Sequence, residues 1–434
     1  MNFLIAGMRA SMSHQAYHEV ATGASITPGP MVPFSTLGLP DGVTFPTSTV
    51  LDPIDTSSCL LESIVLHSNL SAGPGQVVYP IATDFFGRIV WYYIAPVPAE
   101  QAGAFIFRPL YGGTMLLAPN DVTDPQKPNQ YLREIDLVGN TVRETNVERI
   151  NQQLLAMGKD PILSFHHDAT RLPNGNLMTL AYNERLLTDV QGPGTVDVIG
   201  DVLLELDRNL QVVWVWDSFD HLDATRKATL NETCTPGQGG CPAFLTKGSI
   251  ANDWTHSNSV AYTPDGHLIM SIRHQDWVVK INYMNGAGAG NILWRLGKDG
   301  DFSIQSPDPY PWFSHQHDAE FDTPGQPSLM TLYDNANVRR TLFPTGNSRG
   351  QSFLLDQVQM TATPILNADL GVYAFALGSA ERLCNGNYSF NSGIIAPTNK
   401  AQTAEVLPNG ALNFVMETPN AAYRSFRMLS LFQP

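Results

Sequence analysis

The sequence predicts an all-β protein built as a β-propeller, and three observations carry that prediction. A turn-and-strand unit recurs along the 434 residues. A strand rich in Val and Trp follows it at a distance. The 35 glycines and 31 prolines are spread along the chain, as many short strands joined by tight turns require.

Residues 1–75 are Pro- and Thr-rich with few strand signals, and read as a short N-terminal extension that holds at most a few strands. Residues 76–434 read as the propeller and catalytic domain. Its first unit includes the aromatic strand Asp84-Phe-Phe-Gly-Arg-Ile-Val-Trp-Tyr-Tyr93, and Tyr111-Gly-Gly-Thr-Met-Leu-Leu117 opens the next. Glu134 to Val142 is a plainer hairpin. Thr145-Asn-Val-Glu148 is a capping box that predicts a helix with Val147, Ile150 and Leu154 on one face and Gly158 near its end.

The clearest copies of the turn are Leu172-Pro-Asn-Gly-Asn and Thr263-Pro-Asp-Gly-His, with relatives at Leu383-Cys-Asn-Gly and Leu407-Pro-Asn-Gly and a stretched one at Thr323-Pro-Gly. Asn-Gly and Asp-Gly supply the positive φ that a tight hairpin turn needs. Trp-rich partners follow at Val212–Trp216 and Ile292–Trp294. Such a four-stranded unit is the size of one blade; a sandwich with hairpins does not explain the repeated order. Asp217–Leu230 reads as a second helical insertion on a loop between blades.

Charge narrows the function. Only 15% of residues are charged and the net charge is −15, which excludes nucleic acid as a partner because phosphate binding needs clustered Lys and Arg. Anionic ester chemistry would have to rest on a few well-placed cations. No run is apolar for the ~18 residues of a membrane span. Met1–Gly7 is too short and lacks the basic flank of a complete signal peptide. Cys234 and Cys241 bracket a Gly-rich loop that a disulfide could close, which favours an oxidising compartment; Cys59 and Cys384 either pair or stay as buried thiols.

Eight of the eleven histidines fall between His166 and His317. His167, His256 and His317 each stand just before a turn-and-strand unit, so they are read as equivalent positions of three blades that converge on the central channel. Arg273 follows on the strand after His256, and Asn258 shares a face with His256 by period-two alternation. A neutral imidazole is a competent nucleophile near pH 7. An Arg fork suits the oxygens of a sulfuryl or phosphoryl group, and Asn and a second His add transition-state hydrogen bonds. His166 and His315 are given structural roles, and His267 and His274 are read as surface or packing residues.

At His166-His-Asp-Ala169 with Leu172-Pro-Asn-Gly-Asn176, at Asp253-Trp-Thr-His-Ser-Asn-Ser259 with Ser271-Ile-Arg273, and at His315-Gln-His-Asp-Ala319, the chain resembles the bacterial arylsulfate sulfotransferase family. The resemblance runs from about residue 76 to the end. It implies six blades, a periplasmic or secreted location, and PAPS-independent ping-pong transfer from an aryl sulfate donor to a phenol acceptor, both small molecules. By position, His317 would be the transiently sulfurylated nucleophile; His167, His256, Asn258 and Arg273 would hold the sulfuryl group and assist proton transfer. No cofactor and no metal are expected, and a homodimer is left open. Cys384 replaces the usual Pro of the turn.

Three rivals stand beside this reading. Water could replace the phenol, making a hydrolase of aryl sulfates or phosphate esters. The three histidines could hold a metal, although Arg273 disfavours a neighbouring dication. A propeller that only binds a partner would not need His317.

Overall fold

The computed structural model describes residues 5–54, 63–70, 77–96, 106–119, 130–322 and 328–434. The chain is mostly strand, arranged as a six-bladed β-propeller. Each blade is an antiparallel sheet whose first strand faces the axis. The inner strands, in order around the ring, are Ala422–Met428, Ile106–Leu110, Ser164–Arg171, Ser257–Tyr262, His317–Phe321 and Ser379–Arg382. We number the blades one to six in that order.

Blade one is assembled from both ends of the propeller chain. Its inner strand Ala422–Met428 pairs with Ile64–Asn69, which continues into Ile81–Thr83 and Ile89–Tyr92. Strand Thr49–Asp52 pairs with Leu412–Thr418 at the edge of blade six. Ahead of these, Ser13–Ala16 pairs with Val32–Ser35, and between them Glu19–Thr22 and Ser25–Pro28 form a small exposed hairpin.

The predicted turns do what their sequences suggest. Gly175, Gly266, Gly386 and Gly410 all adopt φ between 82° and 87°. The first three join inner and second strands of blades three, four and six; Leu407–Gly410 instead joins the third and fourth strands of blade six. The Thr323 turn and Cys59 lie outside the described residues.

The outer Trp residues explain the second repeated element. Trp91 Nε1 donates to Leu137 O at 2.8 Å, Trp216 Nε1 to Gly290 O at 2.7 Å, and Trp294 Nε1 to Gln357 Oε1 at 3.1 Å. Each bond reaches from one blade to the next, so a buried indole gains apolar cover and satisfies its only donor. The apolar core accordingly lies between blades.

The helix after blade two spans Val147–Ala156 and buries Val147, Ile150 and Leu154 as expected, but its cap is Asn146, which accepts from Arg149 N at 2.8 Å, and not the Thr145 of the expected capping box. The second predicted helix is corrected. Between Asp217 and Leu230 only Ser218–His221 is helical, because Asp217 caps a single turn and the chain then follows the blade surface. The loop beyond it carries the disulfide Cys234–Cys241 and adds Ala251–Asp253 in parallel to Thr195–Leu206 of blade three. Cys384 is also disulfide-bonded. Among the described residues no helix is long and apolar enough to cross a membrane.

Candidate active site at the axis

Bulges in the inner strands aim the site residues. The register skips between His166 and Ala169, between Ser257 and Ser259, and between His317 and Glu320. His167, His256, His315 and Asp318 all hold positive φ, a costly conformation for such residues that persists only where surroundings enforce it.

The structure brings His167, His256, His317 and Arg273 to one end of the axis. The rings of His167 and His256 lie 4.8 Å apart, and Tyr423 packs between His167 at 5.6 Å and His317 at 6.5 Å. All three histidines are buried. A cavity of about 300 Å³, walled by Phe107, Phe165, Phe244 and Leu377, opens beside His167, Tyr182 and Tyr423. Gly240 of the disulfide loop closes over it: its O accepts from Tyr182 at 2.6 Å, and a Cβ there would stand 3.1 Å from His256 Nε2.

Hydrogen bonds fix the tautomer of each ring. Asn335 Nδ2 donates to Ala374 O and Leu377 O at 2.8 and 3.0 Å, so its Oδ1 faces His317 Nδ1 at 2.7 Å and must accept. That places the proton of neutral His317 on Nδ1 and leaves Nε2 with a free lone pair. His256 Nδ1 meets Asp253 Oδ2 at 2.7 Å in the same way. His167 Nδ1 meets His166 Nδ1 at 2.7 Å, while His166 Nε2 faces Asp201 at 3.1 Å. All three site rings thus turn Nε2 away from their anchors.

Burial, helped by the Arg273 guanidinium and the neighbouring His256 ring, holds His317 well below the usual imidazole range. Burial does the same to His167, seconded by His256, His166, His317 and Arg273. Both rings are therefore neutral at pH 7. Arg273 donates through Nη2 to Phe375 O at 3.2 Å and through Nη1 to His274 Nε2. Asn258 donates to Gln316 O at 2.7 Å, and Asp318 N approaches its Oδ1 at 3.4 Å, so it grips the backbone on both sides of His317.

Two sequence readings change. His256 is not the equivalent of His167 and His317. Ala169 pairs with Thr179 and Val260 with Met270, each partner four residues beyond its turn glycine. Asn258 therefore occupies the position of His167, and His256 matches His315, which shares its left-handed backbone. Of the two roles read for His274, surface or packing, the structure excludes the surface one. His274 is buried behind the site, donating from Nδ1 to Asp253 O at 2.7 Å, with its ring 4.6 Å from His256 and 5.5 Å from His315. His315 lies between Asp276, at 3.0 Å, and Glu232.

Among the described residues, groups spaced for metal ligation are Glu232 with His274 and His315, Asp253 with His256 and His274, and the disulfide pair with Asp253. His167, His256 and His317 do not form such a group.

Below the site, the axis is filled by charge. Asp168 and Asp318 meet the guanidinium groups of Arg108 and Arg424 in a buried cluster.

The fold resembles several solved structures. One is a protein of unknown function from Bacteroides caccae, at 11% identity and a TM-score of 0.46, covering 84% of this chain and 97% of that one. Another is the periplasmic gluconolactonase of Pseudomonas aeruginosa, at 9% identity and a TM-score of 0.41, covering 84% and 98%. No curated protein matches the sequence. The model of the arylsulfotransferase (ASST) family matches residues 64–423. That match reaches from Ile64 of blade one to Tyr423 and includes His167, His256, Asn258, Arg273 and His317, and the chain belongs to the arylsulfotransferase family.

Proposed function

We propose that the protein transfers a sulfuryl group from an aryl sulfate to a phenol through His317. The observation that carries this reading is the bond from His317 Nδ1 to Asn335 Oδ1, which leaves a neutral ring with its Nε2 lone pair exposed to the site. In the first half-reaction Nε2 attacks sulfur and the bond from sulfur to the aryl oxygen breaks. His256 enters this step as the imidazolium, its Nδ1 donating to the Asp253 carboxylate, and its Nε2 gives its proton to the departing aryl oxygen, leaving the neutral ring. In the second half, a phenol returns a proton to His256 as its oxygen attacks the sulfur, and the bond from sulfur to His317 breaks.

Arg273 supplies positive charge beside the sulfuryl oxygens, and His167 adds a second polar contact. The aromatic cavity beside His167 takes the ring. Asn258 acts by fixing the backbone around His317. The Cys234–Cys241 disulfide supports function in an oxidising compartment, the periplasm or outside the cell.

The test is incubation with 4-nitrophenyl sulfate in the absence of acceptor, followed by peptide mass analysis. One sulfuryl group should appear on the peptide bearing His317 and disappear when a phenol is added. The variant His317→Ala should release 4-nitrophenol only at the background rate; turnover that persists in it ends the proposal.

A further inference from the structure

We infer that Arg424 is the positioning residue that aligns three blades of the site at once, by gripping Asp168, Asn258 and Asp318. The inference rests on the reading above for its activity readout, and goes beyond it by assigning a role to a residue that touches no substrate.

Arg424 lies on Ala422–Met428, the strand that closes the ring, and is fully buried. Its Nη1 stands 3.0 Å from Asp168 Oδ1; its Nη2 donates to Asn258 O at 2.8 Å and stands 3.2 Å from Asp318 Oδ1. Asp168 directly follows His167, Asp318 directly follows His317, and Asn258 holds, in the blade between them, the place that those two histidines hold in theirs. One planar fork therefore ties two side-chain carboxylates and one backbone carbonyl, each at or next to the matching positions from which the site is built.

The backbone there needs fixing. His167 and Asp318 sit in left-handed conformations at strand bulges, where a relaxed chain would swing the imidazole elsewhere. Arg108, the second guanidinium of the cluster, does not duplicate the role. It reaches Asp168 at 3.1 Å and Asp318 at 3.7 Å but turns its Nη1 to Glu320 at 2.5 Å, at the opposite mouth of the channel, and does not reach Asn258. Tyr423, the neighbour of Arg424, donates to the same Asn258 O at 3.0 Å and carries the ring between His167 and His317.

A lysine at this position keeps the charge but has one nitrogen and no fork, so it cannot span the three acceptors. We expect Arg424→Lys to fold and melt cooperatively while kcat for 4-nitrophenyl sulfate falls about a hundredfold, with KM changed less than about threefold, the pattern of misaligned groups and not of lost binding. In Arg424→Ala, guanidinium ion at millimolar concentration should restore kcat saturably with at most the small rise in melting temperature that binding brings, and methylammonium should not restore it. The inference is overturned if a folded Arg424→Lys keeps wild-type kcat, or if activity lost in either variant follows the unfolded fraction. Should Arg424→Ala not fold, Arg424→Gln gives the same comparison. His317→Ala measured in parallel separates the failures. An active His317→Ala ends the sulfuryl-transfer reading, whereas an inactive one beside a fully active Arg424→Lys ends only the role of Arg424.

Discussion

At the scale of single residues, the proposed mechanism gives each imidazole nitrogen one task. Asn335 takes the Nδ1 proton of His317, Asp253 that of His256, and His166 the one on His167, so chemistry is left to Nε2. Replacing Asn335 with Leu removes the acceptor and frees the other tautomer. It should lower kcat by about tenfold or more, equivalent to ~1.4 kcal/mol, with the melting temperature read alongside to separate catalysis from stability. His317, Arg273 and Asn258 were legible because motif and spacing survive in the linear sequence. His274 was not, because its burial depends on the loop at Asp253 folding over from blade three. A signal for His315 did exist: it precedes His317 by two residues as His256 precedes Asn258, and counting from the turn glycines exposes that match.

At the scale of elements, hairpins were the readable part. Period-two strands with Asn-Gly turns dictate local pairing, and the helix at Val147 follows from its cap and apolar face. Asp217–Leu230 misled because a good N-cap was followed by too little apolar periodicity for a helix longer than one turn. The loop from Thr233 to Asp253 owes its place to cross-links, of which the sequence announced the disulfide but not the hydrogen bonds. It is tied by Cys234–Cys241, by Tyr182 to Gly240, and by Glu184, which accepts from Thr246 N at 2.8 Å and Lys247 N at 2.9 Å. Converting both cysteines to serine removes an entropic restraint of roughly 2–3 kcal/mol on this loop. Faster amide exchange over 233–251 and a severalfold rise in KM should follow, with the propeller's main melting transition little changed, since the opening is local.

At the scale of the whole molecule, stability depends on pH through histidines that the fold keeps neutral. Burial lowers His67 in blade one to about 4, where its Nε2 meets Thr83 Oγ1 at 3.1 Å. In the unfolded chain the same ring protonates below about 6.5. Between those values the unfolded state holds a proton that the folded state does not, so stability falls as pH drops from 6.5 to 4, by about 3 kcal/mol for this group. His67→Gln should flatten that part of the stability curve, measured by urea midpoints at pH 7 and pH 4.5 against the parent. The number of blades was not readable from the repeat, because spacing varies with loop length and one partner strand of blade one comes from the far end of the sequence. That partnership has a consequence for synthesis. A ribosome makes His167, His256 and His317 long before it reaches Tyr423 and Arg424, so the three rings are synthesised before the strand that closes blade one. On the proposed mechanism, a product truncated before Ala422 should therefore release 4-nitrophenol only at the background rate, and turnover by it would count against the role given to the closing strand.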